Sequence, residues 1–172
     1  MLALLGCSPA LNWRALRLDA MFPQGAVPAG PLRLTLPCKP DRAERTVPMG
    51  GQDLTLQMLG CEADGATFAV SHVLAPAPEA LLAGWKAAVL AHLQAQDVQE
   101  RAWAPAGAMA VPPALQLQAR GRRGGGTPLA VHAAWLAARD GAGVHLYHAV
   151  VLAPQARPEL AETFFAGMAA AP

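Results

Sequence analysis

Charge is scarce in this sequence. Charged residues fill 15% of its 172 positions, against about 25% in an ordinary soluble domain, and the formal net charge is only +1. Chains that grip nucleic acid through its phosphates carry a basic excess or stripe. The one dense basic run here, Arg120, Arg122 and Arg123 beside Gly124–Gly126, has the composition of a solvated hairpin tip. No nucleic-acid partner is expected. Apolar runs are short too: none reaches the length of about 18 residues that a membrane-spanning helix requires. Serine is nearly missing, at Ser8 and Ser71 only. No G-x-S-x-G elbow exists, and Ser71 and His72, as strand neighbours, point to opposite faces, which keeps a nucleophile from its base. No C-x-x-C pair occurs, no histidine lies between Cys38 and Cys61, and His72, His92, His132, His145 and His148 make no H-E-x-x-H pattern. No metal site is expected. Gly124–Gly126 lacks the Lys-Ser/Thr ending of a phosphate loop and no dinucleotide fingerprint is visible, so no cofactor is expected.

What is present is apolar surface: 53% of the chain is hydrophobic. The length fits one domain with a sizeable core, and the composition is the opposite of a disordered chain's. Leu32, Leu34 and Leu36 alternate with Arg33 and Thr35, the period of a half-buried strand. A second short strand is expected over 44–49, then a turn at Gly50-Gly51. Leu54, Leu56 and Met58 face one way, Asp64-Gly65 turns the chain, and Phe68, Val70 and His72 alternate after it. Leu82, Trp85, Val89 and Leu93 recur at helical spacing and predict a helix over 79–96. Residues 97–113, with Pro105, Gly107, Pro112 and Pro113, read as a connection. Leu115 and Leu117 begin a strand. Residues 128–139 are apolar on both rows, one row being Leu129, Val131, Ala133, Trp135 and Ala137, which implies a strand covered on both sides. Val144, Leu146, His148, Val150 and Leu152 form the next strand. A last helix begins at Pro158, where proline suits the first turn, and carries Leu160, Phe164 and Met168 on one face. Strands, helix, strands, helix give a single α+β domain over 32–172, an antiparallel sheet against two principal helices. Residues 8–31, broken by prolines, read as an N-terminal arm with Trp13 as a packing anchor.

The chain opens Met1-Leu2-Ala3-Leu4-Leu5-Gly6-Cys7. Leu4-Leu5-Gly6-Cys7 resembles the bacterial lipobox, in which two apolar residues and a small one precede the cysteine that takes diacylglycerol. The resemblance implies that residues 1–7 are the remnant of a lipoprotein signal and that acylated Cys7 holds the protein to membrane lipid, several acyl chains being needed for a stable anchor. Only six residues precede Cys7 and none is basic, where a signal carries a basic start and a longer apolar core. The alternative is an apolar tail with a buried free cysteine. Ser8, rather than Asp, follows Cys7, and by the same resemblance that tilts the expected location toward the outer membrane. Cys38 and Cys61 fall near the ends of expected strands. In an oxidising compartment they are expected to pair, the alternative being two reduced thiols.

Leu34-Thr35-Leu36-Pro37-Cys38-Lys39-Pro40, the hairpins through Met58 and Phe68, and Glu162-Thr163-Phe164-Phe165 together resemble the PsbP/Mog1-like α+β fold. The chain is also similar to a group of uncharacterised proteobacterial envelope lipoproteins, through Ala10-Leu11-Asn12-Trp13-Arg14, Pro37-Cys38-Lys39-Pro40-Asp41-Arg42 and Gly60-Cys61-Glu62-Ala63-Asp64-Gly65-Ala66-Thr67-Phe68. These resemblances imply a periplasm-facing protein and bring no catalytic residues. Three readings of function follow. The first is a lipid-anchored, non-catalytic interaction or assembly module with an envelope protein as partner. The second is a binding domain for a small apolar or amphipathic ligand, in a hollow lined by Trp85 and Trp135; the same two indoles also fit a core. The third is an enzyme, which needs histidines and acids to converge in one cleft. His132 and His148 fall on adjacent expected strands, where register decides whether they meet; the plainer reading is tucked histidines in an Ala-rich sheet. Glu62 and Asp64 share a strand face but abut a turn, where acids are commonly just solvated.

Overall fold

The computed structural model describes residues 10–170; Cys7 and the lipobox-like segment lie outside these. Along the chain run β1 (Arg14–Arg17), α1 (Leu18–Met21), β2 (Leu32–Leu36), β3 (Asp41–Met49), β4 (Gln52–Ala63), β5 (Ala66–Leu74), α2 (Pro78–His92), β6 (Gln96–Ala102), β7 (Leu115–Arg122), β8 (Pro128–Asp140), β9 (Gly143–Ala153), α3 (Pro158–Ala166) and β10 (Ala169–Ala170). Seven strands make one sheet in the order β3-β4-β5-β9-β8-β7-β6, and β1-β2-β10 make a small second sheet. Every pairing is antiparallel. The α+β class holds, with three helices rather than two among the described residues.

Alternation along the strands sorts side chains onto two faces. Leu129, Val131, Ala133, Trp135 and Ala137 of β8 pack with Val144, Leu146 and Val150 of β9 under Leu81, Leu82 and Trp85 of α2. The other row of β8, with Tyr147, Ala149 and Val151 of β9 and Phe68 and Val70 of β5, packs against Leu32, Leu34 and Leu36 of β2 and Leu160, Phe164 and Phe165 of α3. The expected double covering of residues 128–139 is therefore real, though one lid is a small sheet plus a helix and not a helix alone. Trp13 sits half-buried, edge-on to Phe68 at a centroid distance of 5.8 Å.

Three boundaries differ from expectation for physical reasons. The helix expected over 79–96 stops at His92 because Gln94 takes the left-handed conformation (φ 49°) and turns the backbone out. The edge strand β6 runs over Gln96–Ala102, where 97–102 were expected as connection and Gln96 as the end of the helix; all seven side chains are exposed, so no buried row marks the strand in the sequence. The short strand expected at 44–49 extends back to Asp41. The arm expected over 8–31 contributes β1 and α1 to the small sheet's layer.

Cys38 and Cys61 form a disulfide across a separation of 23 residues, with 5.9 Å between their Cα atoms. It ties the end of β2 to β4, hence one layer to the other. A loop of that length is worth about 3 kcal/mol in the chain-entropy model. The Cys38→Ala, Cys61→Ala double variant should lose about that much in urea unfolding; a loss under about 1 kcal/mol would mean the bridge does little to restrict the unfolded chain.

Candidate functional site

Register builds the site. His72 on β5 lies opposite Tyr147 of β9, and His145 lies opposite Leu74, two residues along the same pair of strands. Both imidazoles therefore point to the face covered by the arm, and their rings meet: His72 Nε2 and His145 Nδ1 are 2.9 Å apart. The other nitrogens extend the line in both directions. His145 Nε2 lies 2.7 Å from Asp140 Oδ1 at the β8–β9 turn. His72 Nδ1 lies 2.9 Å from Gln57 Oε1 on β4. Gln57 Nε2 then donates to Glu44 Oε2 on β3 at 2.8 Å and to the Val27 carbonyl of the arm at 2.9 Å. One line of polar groups thus crosses five strands.

The line is sealed. His72, His145 and Gln57 are fully buried, and solvent is reached only at the two ends, Asp140 at 35% side-chain exposure and the exposed Glu44. Residues 22–31 form the lid. Ala26 N donates to the Glu44 carboxylate at 3.1 Å, Tyr147 Oη donates to the Ala29 carbonyl at 3.1 Å, and Arg42 donates to the Met21 carbonyl at 2.7 Å. Gly30 shows how closely the lid sits. Its φ of 74° suits glycine, and a Cβ there would run into Tyr147 Oη and the His145 ring.

The electrostatics follow from burial and neighbours. Burial first, and the charge of His145 second, push His72 down to about 3. Burial also raises the Tyr147 phenol. At Asp140 burial works against the charge, but the hydrogen bond from His145 and the backbone N–H of Ala142 prevail and hold the carboxyl below its usual range. The line can hold and relay a proton between its members. Its buried rings offer no surface to a substrate.

The other candidates are placed separately. His132 and His148 do not meet: His132 is on the α3 face of β8, and His148 on the α2 face of β9 opposite Trp135. His148 stacks on Trp135 at 4.4 Å and meets Trp85 edge-on at 5.5 Å. Trp135 is fully buried and Trp85 is 8% exposed, so these indoles are core packing around a histidine. Asp64 pairs with Arg157 at 2.7 Å, and Glu62 stays exposed beside the same turn. No group of three metal-ligating side chains occurs among the described residues. A separate cleft of about 220 Å³ lies between α3 and β6–β8, lined by Arg101, Gln116, His132, Glu162 and Phe165 among others. His132 Nε2 is buried there without a hydrogen-bond partner.

The pairing that matters, His72 with His145, was not legible in the sequence. The two are 73 positions apart. The available signal was that each sits on an alternating strand row, which only the β5–β9 register turns into contact. Neither a protein-family model nor a curated protein matches the chain.

Proposed function

We propose that this protein is a non-catalytic interaction or assembly module of the bacterial envelope, facing the periplasm and anchored to membrane lipid through acylated Cys7. The observation that carries the reading is the Cys38–Cys61 disulfide. Such bridges form and persist in oxidising compartments, and a lipobox-like segment upstream fits the same compartment. The sealed histidine line supports a structural use of its titratable groups. The element order supports the PsbP/Mog1-like form of the α+β fold, which fits the resemblance to envelope lipoproteins.

The test is fractionation with intact-mass analysis in an envelope-forming bacterial host. The mature protein should be recovered with membranes and carry acyl mass on Cys7. Cys7→Ala should release it to the soluble periplasmic fraction. A wild-type protein that is soluble with Cys7 unmodified overturns the anchor. Crosslinking in intact envelopes then seeks the protein partner.

The cleft beside α3 favours a second reading, a binding domain for a small polar ligand. Its Arg101 and the unpartnered His132 are the groups that would orient such a ligand, and its volume is at or below the lower end for ligand pockets, roughly 300 Å³. A small molecule that co-purifies with the wild type and is lost on Arg101→Ala would favour it over the first.

A further inference from the structure

We propose that the Asp140–His145–His72–Gln57 line holds one proton more than two neutral imidazoles supply, and that losing it frees the arm at Val27 by turning the Gln57 amide. Gln57 Nε2 faces two acceptors, the Val27 carbonyl and the Glu44 carboxylate, so its amide orientation is fixed and Oε1 must face His72. Oε1 only accepts, so His72 Nδ1 carries a proton. At the other end the Asp140 carboxylate only accepts, so His145 Nε2 carries a proton. Each ring has now spent the single proton of its neutral form. Yet His72 Nε2 and His145 Nδ1 stand 2.9 Å apart in the dry interior, and two bare lone pairs at that distance repel. One added proton converts the contact into a hydrogen bond and completes every link.

The surroundings accept this charge. The titratable groups facing the rings are Asp140 from the end of β8, Tyr147 from β9, Glu44 from β3 by way of Gln57, and Asp19 of α1 near Tyr147. Residues 22–31 of the lid contain no titratable side chain. With Asp140 ionised, the Asp140–imidazolium pair is neutral overall, which is how a buried charge is tolerated. Glu44 is solvated too, but the Gln57 amide between it and the rings carries no proton onward, so Asp140 is where the proton enters and leaves.

Removing the proton forces one link to fail. The Asp140 link is charge-assisted and roughly twice as strong as a neutral one, so the neutral His72–Gln57 link yields. His72 moves its remaining proton to Nε2 and bonds His145. Its bare Nδ1 then faces Gln57, whose amide turns to offer Nε2. That turn withdraws the donor from both Val27 and Glu44. Glu44 in turn holds the Ala26 N–H, so the loss passes along the arm. The Tyr147–Ala29 and Arg42–Met21 bonds remain, and the arm loosens without detaching. The proposal does not depend on whether Cys7 carries lipid.

The test is NMR of the whole chain with nitrogen-15 in the histidine rings, raising the pH from about 6 until the imidazolium signature disappears. At the start, one ring should show two protonated nitrogens and the other a proton on Nδ1 alone. As the imidazolium is lost, exchange protection of the Gly25 and Ala26 amides, corrected for intrinsic rate, should fall about tenfold in step. Gln57→Leu should show the low protection at every pH, with no step. Two neutral rings at the starting pH overturn the count. A wild-type titration in which protection stays flat, or in which the 140–143 turn loosens instead of the arm, overturns the coupling; this holds even if Gln57→Leu does not fold.

Discussion

Replacing Trp135 by alanine is expected to cost the domain about 3–5 kcal/mol of unfolding free energy. Trp135 lies on β8, which β9 and β7 flank, and its indole is fully buried beneath α2. It stacks on His148 with 25° between the ring planes. Its Nε1 has no hydrogen-bond partner, so truncation removes packing and dispersion contacts without stranding an acceptor. Most neighbours are alanines and strand-held aliphatics, including Ala133 and Ala137 on the same row, and these cannot expand to fill the space. The cavity term should therefore be near the upper part of the range. Urea unfolding with an unchanged dependence on denaturant would show the loss as a shift in midpoint. A loss below about 1 kcal/mol would mean that α2 closes down onto the sheet, and that this face is far softer than its packing implies.

Legibility tracked the presence of a buried row. Leu32-Leu34-Leu36, the two rows of 128–139 and the stripe through Leu82 and Trp85 each bury one side or both, and each was readable as strand or helix. β6 buries nothing and was not. The Asp64-Gly65 and Gly50-Gly51 turns were readable because both their central residues take positive φ, a demand that selects these residue types. The disulfide was legible because only two cysteines beyond Cys7 exist, at strand ends. The histidine line was not, for a reason that is geometric. Sequence alternation tells which face a side chain takes, but contact across strands needs the register. The β5–β9 offset puts His72 one step from His145 on one face, while the β8–β9 pairing puts His132 and His148 on opposite faces. A shift of one residue would have reversed both outcomes.

Those same histidines make stability depend on pH, with a sign that can be worked out. Burial pushes His148 down to about 3, and burial with the charge of His145 does the same to His72. In the unfolded chain each ring returns to an ordinary value of about 6.5. Between these limits the unfolded state binds a proton at each ring that the folded state refuses, so unfolding takes up protons and the folded state loses ground as pH falls. Their contribution is fully present above about pH 6.5 and drains away toward pH 3, by up to about 1.4 kcal/mol per pH unit for each ring. Burial depresses His132 in the same direction. Unfolding free energies from urea curves collected at intervals through that window should fall with a slope of at least two protons, His132 adding to the two from His72 and His148. His148→Phe separates the contributions. His148 sits between two indoles with its Nε2 unpartnered, so an apolar ring of similar width should leave stability at neutral pH level or higher while cutting the acid slope by one proton. An unchanged slope in that variant would mean that His148 is already charged in the folded protein, and that the two indoles shelter a cation rather than a neutral ring.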